Sequence, residues 1–466
     1  MLTFTGTYTD QYQLTMAQTY FFKGRANHSA VFDYFFRKLP FDGGYAIFAG
    51  LEDLLTALEH LKFNDEDLQF LKQQQFAPEF IEYLKQFRFH GNIYASQEGD
   101  VVFPTRPVII IEANILEAQM IETLVLNILN FQTLIATKAN RMRQVAGQRQ
   151  LIDFGLRRAQ GAGGYYATRA AFIGGFDATS NVVAGRDYGI PVSGTMSHAF
   201  IQSYDDEYSA FHDFSQVWPD ECVLLVDTYD TLKSGVPNAI KIGKELEAKG
   251  HRLRGIRLDS GDLALLAKQS RQLLDEAGMH YVKIAASNQL DEFVIKQLLE
   301  QKAPIDVFGV GTNLVIGQPD GALDGVYKLV FADDKPRIKL SENISKVTIP
   351  GKKQVHRILK DDIFWGADVI SLDDEEDMTR MYCPFNHFNP IVLKNLKQEP
   401  LLKQVVKNGK RTEKPKSLKE IAHFSQDRLK LLPKEFKRFD DPSVYKIGIS
   451  EQLKTIRDQL IHIHKG

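Results

Sequence analysis

Several short apolar runs in this chain end in glycine, hydroxyl or charged residues. They give Phe154-Gly155 with Arg157, Gly174-Gly175, Thr195 with Ser197-His198, Asp227-Thr228, Arg257 with Asp259, Ser287-Asn288, and Gly309 with Gly311-Thr312. Glycines and hydroxyls at the start of a helix suit phosphate oxygens, because free backbone N–H groups point outward there and the helix dipole favours an anion. Arginine offers a planar pair of donors to a carboxylate or a phosphate. Asp227 and Asp259 are of the type that holds a magnesium ion carried in with a polyphosphate. Together these residues are suited to a phosphorylated, polyanionic ligand. Each alone also has an ordinary reading: a glycine in a turn, Asp227 or Asp259 capping the next helix, His198 in a structural role, Arg257 as a surface charge. Their recurrence at successive strand ends is what speaks for a shared site. A generic phosphosugar enzyme would fit the same description, so residue types alone lead to a phosphate-handling barrel enzyme.

The elements that must position these residues alternate regularly. Val223 to Val226 reads as a strand, Val236 to Ala248 as a helix closed by Gly250, and Arg252 to Leu258 as the next strand. Leu263 to Ala277 is amphipathic, with Leu266, Leu273 and Leu274 on related faces and Gly278 as its stop. Tyr281 to Ala285, a helix Leu290 to Glu300 with Asn288 as its expected N-cap, and a strand Ile305 to Val310 complete the run. The repeat is about thirty residues, the size of a βαβ unit. Strands joined by crossover helices are parallel and buried, and ligands lie at their carboxyl ends. Leu151 to Phe154, Ala171 to Ile173 and Ile190 to Val192 extend the series as further expected strands. So many units in one block favour closure into a barrel over an open sheet.

The flanks differ. Thr5 to Glu112 mixes helices (Leu51 to Leu61, Asp65 to Gln74) with strand-like pieces (Ala30 to Phe36, Gly91 to Tyr94). After Val326, short strand candidates such as Ala332 to Pro336 and Pro350 to Gln354 are separated by charged turns, and the lysine-rich Lys403 to Lys419 reads as a solvated loop or surface helix. With 466 residues, more than one structural unit is expected. We expect an N-terminal α+β domain over 1–112, an α/β barrel over 113–330, and a segment 331–466 packing on both.

A hydrophobic content of 44% excludes a disordered chain, and a formal net charge of −2 argues against a nucleic-acid partner. Cys222 and Cys383 are the only cysteines, too few for a cysteine-rich zinc site, so no structural zinc and a reducing, cytoplasmic setting are expected. Met1 to Phe22 lacks Lys and Arg, unlike a targeting segment, and no apolar run is long enough to span a membrane.

At the level of motifs the chain resembles the nicotinate phosphoribosyltransferases, a type II phosphoribosyltransferase family. The resemblance rests on Thr9-Asp10-Gln11-Tyr12-Gln13 with Met16; Phe32 to Arg37 with Pro40-Phe41; Phe154-Gly155-Leu156-Arg157-Arg158-Ala159-Gln160-Gly161; and Gly174-Gly175-Phe176-Asp177-Ala178-Thr179-Ser180-Asn181. It continues through Gly194-Thr195-Met196-Ser197-His198; Leu225-Val226-Asp227-Thr228-Tyr229-Asp230; Arg257-Leu258-Asp259-Ser260-Gly261-Asp262; and Gly309-Val310-Gly311-Thr312. It weakens towards Asn386 and Pro390, and the tail after about Lys403 resembles the family poorly.

The resemblance implies an irregular, incomplete parallel α/β barrel, with an additional α+β domain formed by the N- and C-terminal segments. It implies a reaction in which nicotinate, 5-phosphoribosyl 1-pyrophosphate, ATP and water give nicotinate D-ribonucleotide, pyrophosphate, ADP and phosphate, the entry step of NAD salvage from nicotinate. A nicotinamide- or quinolinate-using phosphoribosyltransferase is the alternative. The family's residues carry over as follows. Phe154 and Tyr12 sandwich the pyridine ring, Tyr12 coming from a neighbouring subunit, which implies a homodimer with shared sites. Arg157 and Ser180 lie near the ring, and Thr195 belongs to the same pocket. Arg257 and Asp259 are catalytic, Arg257 as a further anion-recognising residue and Asp259 holding ribose hydroxyls or metal. Ser287, Asn288, Gly311 and Thr312 hold the ribose phosphate. His198 is phosphorylated from ATP, as a neutral imidazole nitrogen is a competent nucleophile, and Asp227 is a candidate to orient its ring. Magnesium would arrive with the substrate through Asp227 or Asp259; no other metal is indicated.

Overall fold

The computed structural model describes residues 4–343, 346–385 and 389–465. The weak family likeness at Asn386 therefore lies outside the described residues. The chain divides into two compact units. One is Lys138–Gly321; the other joins the segment up to Thr137 with the segment from Ala322 onward. Residues 113–137, grouped above with the barrel, belong by contact to the second of these.

The unit Lys138–Gly321 is built on six parallel strands: β1 (Gln150–Asp153), β2 (Ala178–Thr179), β3 (Val223–Leu225), β4 (Gly255–Leu258), β5 (Lys283–Ser287) and β6 (Val307–Val310). Their order across the sheet is β2-β1-β6-β5-β4-β3. In register, Leu151 faces Phe308, Ile284 faces Ile256, and Leu224 faces Ile256 from the other side. All five of these residues are fully buried, as expected for parallel strands covered on both faces. A parallel bridge from Thr179 to Val192 extends the sheet past β2. Among the described residues β3 does not pair back onto that edge. The chain between them goes into the helices His198–Gln202 and Glu207–Val217 instead of strands. The sheet is thus irregular and open, as the family resemblance implied, where the number of strand–helix units alone had favoured closure.

Helices Val236–Ala248, Leu263–Glu276 and Glu292–Glu300 occur where the sequence placed them. Their starts are instructive. The Asp230 carboxylate accepts from the N–H groups of Leu232 and Lys233, Asp262 from Leu265, and Asp291 from Phe293 and Val294. Asn288, the expected cap of Glu292–Glu300, instead stands at φ +81°, a left-handed conformation that asparagine tolerates. Ala171–Ile173 is not a strand but the last turn of helix Gly163–Ile173; its alanine-rich approach favours a helix, and so short an apolar run has no period of its own.

The other unit interleaves the two ends of the chain. A seven-stranded sheet runs in the order Lys335–Pro336, Gly325–Ala332, Ser29–Phe36, Ile109–Asn114, Asn92–Ala95, Lys403–Lys407, Lys410–Arg411. Phe32 sits opposite both Leu329 and Ile111, so an N-terminal strand is flanked by a C-terminal one. Lys403–Lys407 is a strand pairing with Asn92–Ala95, where the sequence reading had a solvated loop or surface helix. Within that strand Val406 supplies the buried apolar side chain. A second sheet orders Lys397–Pro400, Lys353–Lys360, Ile363–Leu372 and Lys446–Ile449. Helix Gln11–Phe22, which carries Tyr12, also belongs to this unit.

Candidate active site

A cleft of about 430 Å³ opens at the carboxyl ends of the six strands, wholly within Lys138–Gly321. Phe154, Arg157, Ser180, Thr195, His198, Arg257, Asp259, Ser287, Asn288, Gly311 and Thr312 all line it. Residues spread over much of the unit's sequence meet there because each follows, or bridges to, a strand of one parallel sheet.

Phe154 leaves the end of β1 and lays its ring against Gly309 on the neighbouring β6; a Cβ at 309 would overlap that ring. The Arg257 guanidinium stands 6.0 Å from the ring centroid, within the range of a cation–π contact. Its Nη1 donates to the Thr195 hydroxyl at 2.7 Å, while its Nε is buried without a hydrogen-bond partner. Burial lowers the pKa of this guanidinium, with Arg157 adding to the effect and Asp259 and Asp227 opposing it. An arginine stays charged nonetheless, so the cleft presents an incompletely paired cation beside an aromatic face.

Asp153, which the sequence reading passed over, fixes this corner. It is 1% exposed. Its Oδ1 accepts from the Gly155 N–H at 2.8 Å, and its Oδ2 from the hydroxyls of Thr168 at 2.6 Å and Thr179 at 2.8 Å. Its carbonyl oxygen accepts from the Ser180 N–H at 2.8 Å. One residue therefore ties the ends of β1 and β2 to helix Gly163–Ile173. Burial pushes its carboxyl up, against the pull of those three hydrogen bonds. The signal in the sequence was a single acid closing an apolar run.

On the opposite side two carboxylates and two hydroxyls lock together. Asp227, whose side chain is 2% exposed, accepts at Oδ2 from the Asp259 N–H at 2.8 Å and from the Ser260 hydroxyl at 2.6 Å. Ser287 donates in turn to Asp259. Neither acid caps a helix, since Asp230 and Asp262 do that. Asp227 lies behind the lining of the cleft, and its Oδ1 is buried without a hydrogen-bond partner. Among the described residues no group of three or more His, Cys, Asp or Glu could form a metal cage. Magnesium is commonly held by one or two carboxylates together with substrate phosphates, and the free Oδ1 of Asp227 and the Asp259 carboxylate fit that mode.

His198 opens helix His198–Gln202, with its side chain 39% exposed. Its Nδ1 is 3.0 Å from the Thr228 hydroxyl. Its Nε2 lies 4.0 Å from Asp227 and 3.8 Å from Asp259. The ring's hydrogen bond is thus to Thr228, while Asp227, the expected orienting carboxylate, faces its other nitrogen.

Gly174-Gly175 does not reach the cleft; it ends helix Gly163–Ile173, with Gly175 at φ +109° accepting from Arg143 Nε at 2.7 Å. Tyr12 belongs to the other unit, where it is 49% exposed. Arg158 and Gln289 line the cleft without having been singled out; each sits beside a residue that was.

The comparisons with known proteins agree with this geometry. Models of the nicotinate phosphoribosyltransferase N-terminal domain, of the family itself and of its C-terminal domain match residues 7–130, 149–363 and 352–457. The last of these corrects the poor likeness read after Lys403. The chain is 44% identical to nicotinate phosphoribosyltransferase of Bacillus subtilis, over 98% of this chain and 95% of that protein. It is 37% identical to the Caenorhabditis elegans protein of the same name, over 96% and 91%. The crystal structure of human nicotinic acid phosphoribosyltransferase superposes with a TM-score of 0.87 at 31% identity, covering 97% of this chain and 99% of that one. That of nicotinate-nucleotide pyrophosphorylase from Pyrococcus furiosus superposes at 0.72 with 26% identity, covering 91% and 95%. Fold, cleft and sequence point the same way: this chain belongs to the nicotinate phosphoribosyltransferase family.

Proposed function

We propose that the chain transfers the phosphoribosyl group of 5-phosphoribosyl 1-pyrophosphate to nicotinate, with hydrolysis of ATP coupled to turnover. The observation that carries this reading is the Phe154 ring with the Arg257 guanidinium 6.0 Å away. A flat ring bearing a carboxylate satisfies both. A neutral amide in place of the carboxylate would leave a buried cation without a counter-ion, which is costly.

In this reading the ring stacks on Phe154 and its carboxylate meets Arg257, with Arg157 and Ser180 close by. Ser287, Asn288, Gly311 and Thr312 hold the ribose phosphate, and Asp259 the ribose hydroxyls. The pyridine nitrogen forms the bond to the ribose carbon as the bond to pyrophosphate breaks. Asp227 and Asp259 would hold magnesium, which when bound neutralises charge on the departing pyrophosphate. His198 attacks the γ-phosphorus of ATP with one imidazole nitrogen; the new nitrogen–phosphorus bond replaces the bond to ADP, and water later releases phosphate. The Tyr12 of a partner subunit completes the ring sandwich, which makes the working enzyme a homodimer. No helix among the described residues is long and apolar enough to cross a membrane, and Cys222 and Cys383 are both free; these support a cytoplasmic setting.

Nicotinate, nicotinamide and quinolinate should be assayed side by side at equal phosphoribosyl pyrophosphate, with and without ATP. Nicotinate should be turned over well ahead of the other two. Preference for nicotinamide or quinolinate would overturn the assignment of Arg257 to a single carboxylate.

A further inference from the structure

Glu207 is a buried acid that the reaction above does not use. It opens helix Glu207–Val217, is 4% exposed, and lies nine residues after His198. Its Oε2 accepts from the Ser234 hydroxyl at 2.5 Å and from the Asn238 amide at 3.2 Å. Its Oε1 is buried without a hydrogen-bond partner. Burial pushes its carboxyl up, against the pull of the hydrogen bonds from Ser234 and Asn238, and the charge of Asp227 adds a smaller upward push.

Both partners of Glu207 come from the segment that follows β3. Thr231–Gly235 is a π-turn running directly into helix Val236–Ala248; such turns are rare and recur at functional sites. Gly235 rests on the Val226 carbonyl, and a Cβ there would overlap it. Val226 is followed by Asp227, which faces Nε2 of His198, and Thr228, which meets Nδ1. A closed circuit results: His198 touches Thr228, the Val226–Thr228 turn carries the π-turn, the π-turn offers Ser234 to Glu207, and Glu207 leads back along its own segment to His198.

We propose that Glu207 is a positioning residue for His198. It clamps the π-turn so that Asp227 and Thr228 hold the imidazole in one orientation for phosphoryl transfer. This rests on the reading of His198 as the phosphorylated residue. What the clamp requires is a buried acceptor with the shape of a carboxyl group, not its charge. Glutamine keeps an oxygen for Ser234 and Asn238; alanine keeps nothing.

The test compares wild type, Glu207→Gln and Glu207→Ala, with Ser234→Ala/Asn238→Ala as a milder route to the same loss should Glu207→Ala not fold. Two quantities are read. One is acid-labile phosphate retained on the protein after ATP, together with kcat and KM for nicotinate. The other is the rate at which diethyl pyrocarbonate modifies His198, followed by peptide mass spectrometry without ATP. Loss of a side chain that positions a reacting group costs about tenfold to a hundredfold. Glu207→Ala or the double variant should lose that much in phosphate retention and ATP-dependent kcat, with KM for nicotinate little changed and the modification rate of His198 altered. Glu207→Gln should restore all of these to near wild-type values. A folded Glu207→Ala that phosphorylates and modifies like wild type would overturn the proposal. So would a Glu207→Gln as impaired as Glu207→Ala, because charge and not shape would then matter. If wild type retains no phosphate but the modification rate still shifts in Glu207→Ala and recovers in Glu207→Gln, the phosphohistidine reading fails and the positioning role stands.

Discussion

At the scale of single residues, Phe154 and His198 divide the proposed chemistry between them, and substitutions should separate their effects. Phe154 offers only a ring face, held in place against the missing side chain of Gly309. Stacking contributes about 0.5–1.5 kcal/mol beyond burial. Phe154→Ala should therefore raise KM for nicotinate by about twofold to tenfold or more while leaving KM for ATP nearly unchanged. Steady-state kinetics with each substrate varied in turn will show this; equal rises in both constants would argue against a ring-binding role. His198→Ala should do the reverse. Nicotinate binding, measured calorimetrically, should persist while ATP-dependent turnover and phosphate retention are lost. Unchanged turnover would remove His198 from the reaction. At this scale much of the site was legible, because Asp227, Arg257, Asp259 and Ser287 follow apolar runs one after another. What lettering could not decide was whether the two acids cap helices. That depended on where Asp230 and Asp262, a few residues further on, direct their carboxylates.

At the scale of elements, strand ends are only as well placed as whatever holds them, and Asp153 holds two. All three donors to its carboxylate are buried, and the Thr168 hydroxyl also reaches the Gly164 carbonyl at 3.0 Å. Asp153→Asn turns one carboxylate oxygen into an NH2 group where three groups now donate to that carboxylate, so at least one of these bonds must be lost or reversed. Leaving such a group unpaired costs about 1–3 kcal/mol. The variant should melt several degrees lower, and its KM for nicotinate should rise because Gly155 and Thr179, which flank Phe154 and Ser180 in the chain, lose their anchor. A thermal scan showing wild-type stability would mean that the Thr168 and Thr179 hydroxyls find other acceptors. Sequence pattern was a good guide to the helices and strands from Val223 to Val310, where runs are long and separated by clear stops. It failed at Ala171–Ile173, a run too short to carry a period, and at Lys403–Lys407, an outer strand whose exposed face is lysine and whose inward content is essentially Val406. Closure into a barrel also failed, because whether strands meet across a gap is a property of the intervening chain, which here is helical.

At the scale of the whole molecule, the cleft in Lys138–Gly321 offers one aromatic face, Phe154, while the second aromatic of the proposed sandwich, Tyr12, belongs to the other unit of the chain and is half exposed there. An exposed tyrosine on helix Gln11–Phe22 is what a residue reserved for a partner's site would look like. If sites are shared in this way, each site of a dimer draws Tyr12 from one subunit and Arg257 from the other. Tyr12→Ala and Arg257→Ala, assayed at nicotinate well below its KM so that a weakened ring site shows as lost rate, would then complement. In a mixed dimer one site carries both lesions and the other carries neither, so random exchange of equal amounts should make about half of the dimers heterodimers, each with one intact site, and restore about a quarter of wild-type activity per site. Differently tagged subunits, mixed under conditions of proven exchange and purified through both tags, raise that figure towards one half. Activity that stays at the level of the separate variants, with heterodimers demonstrably present, would mean that Tyr12 serves the site of its own chain.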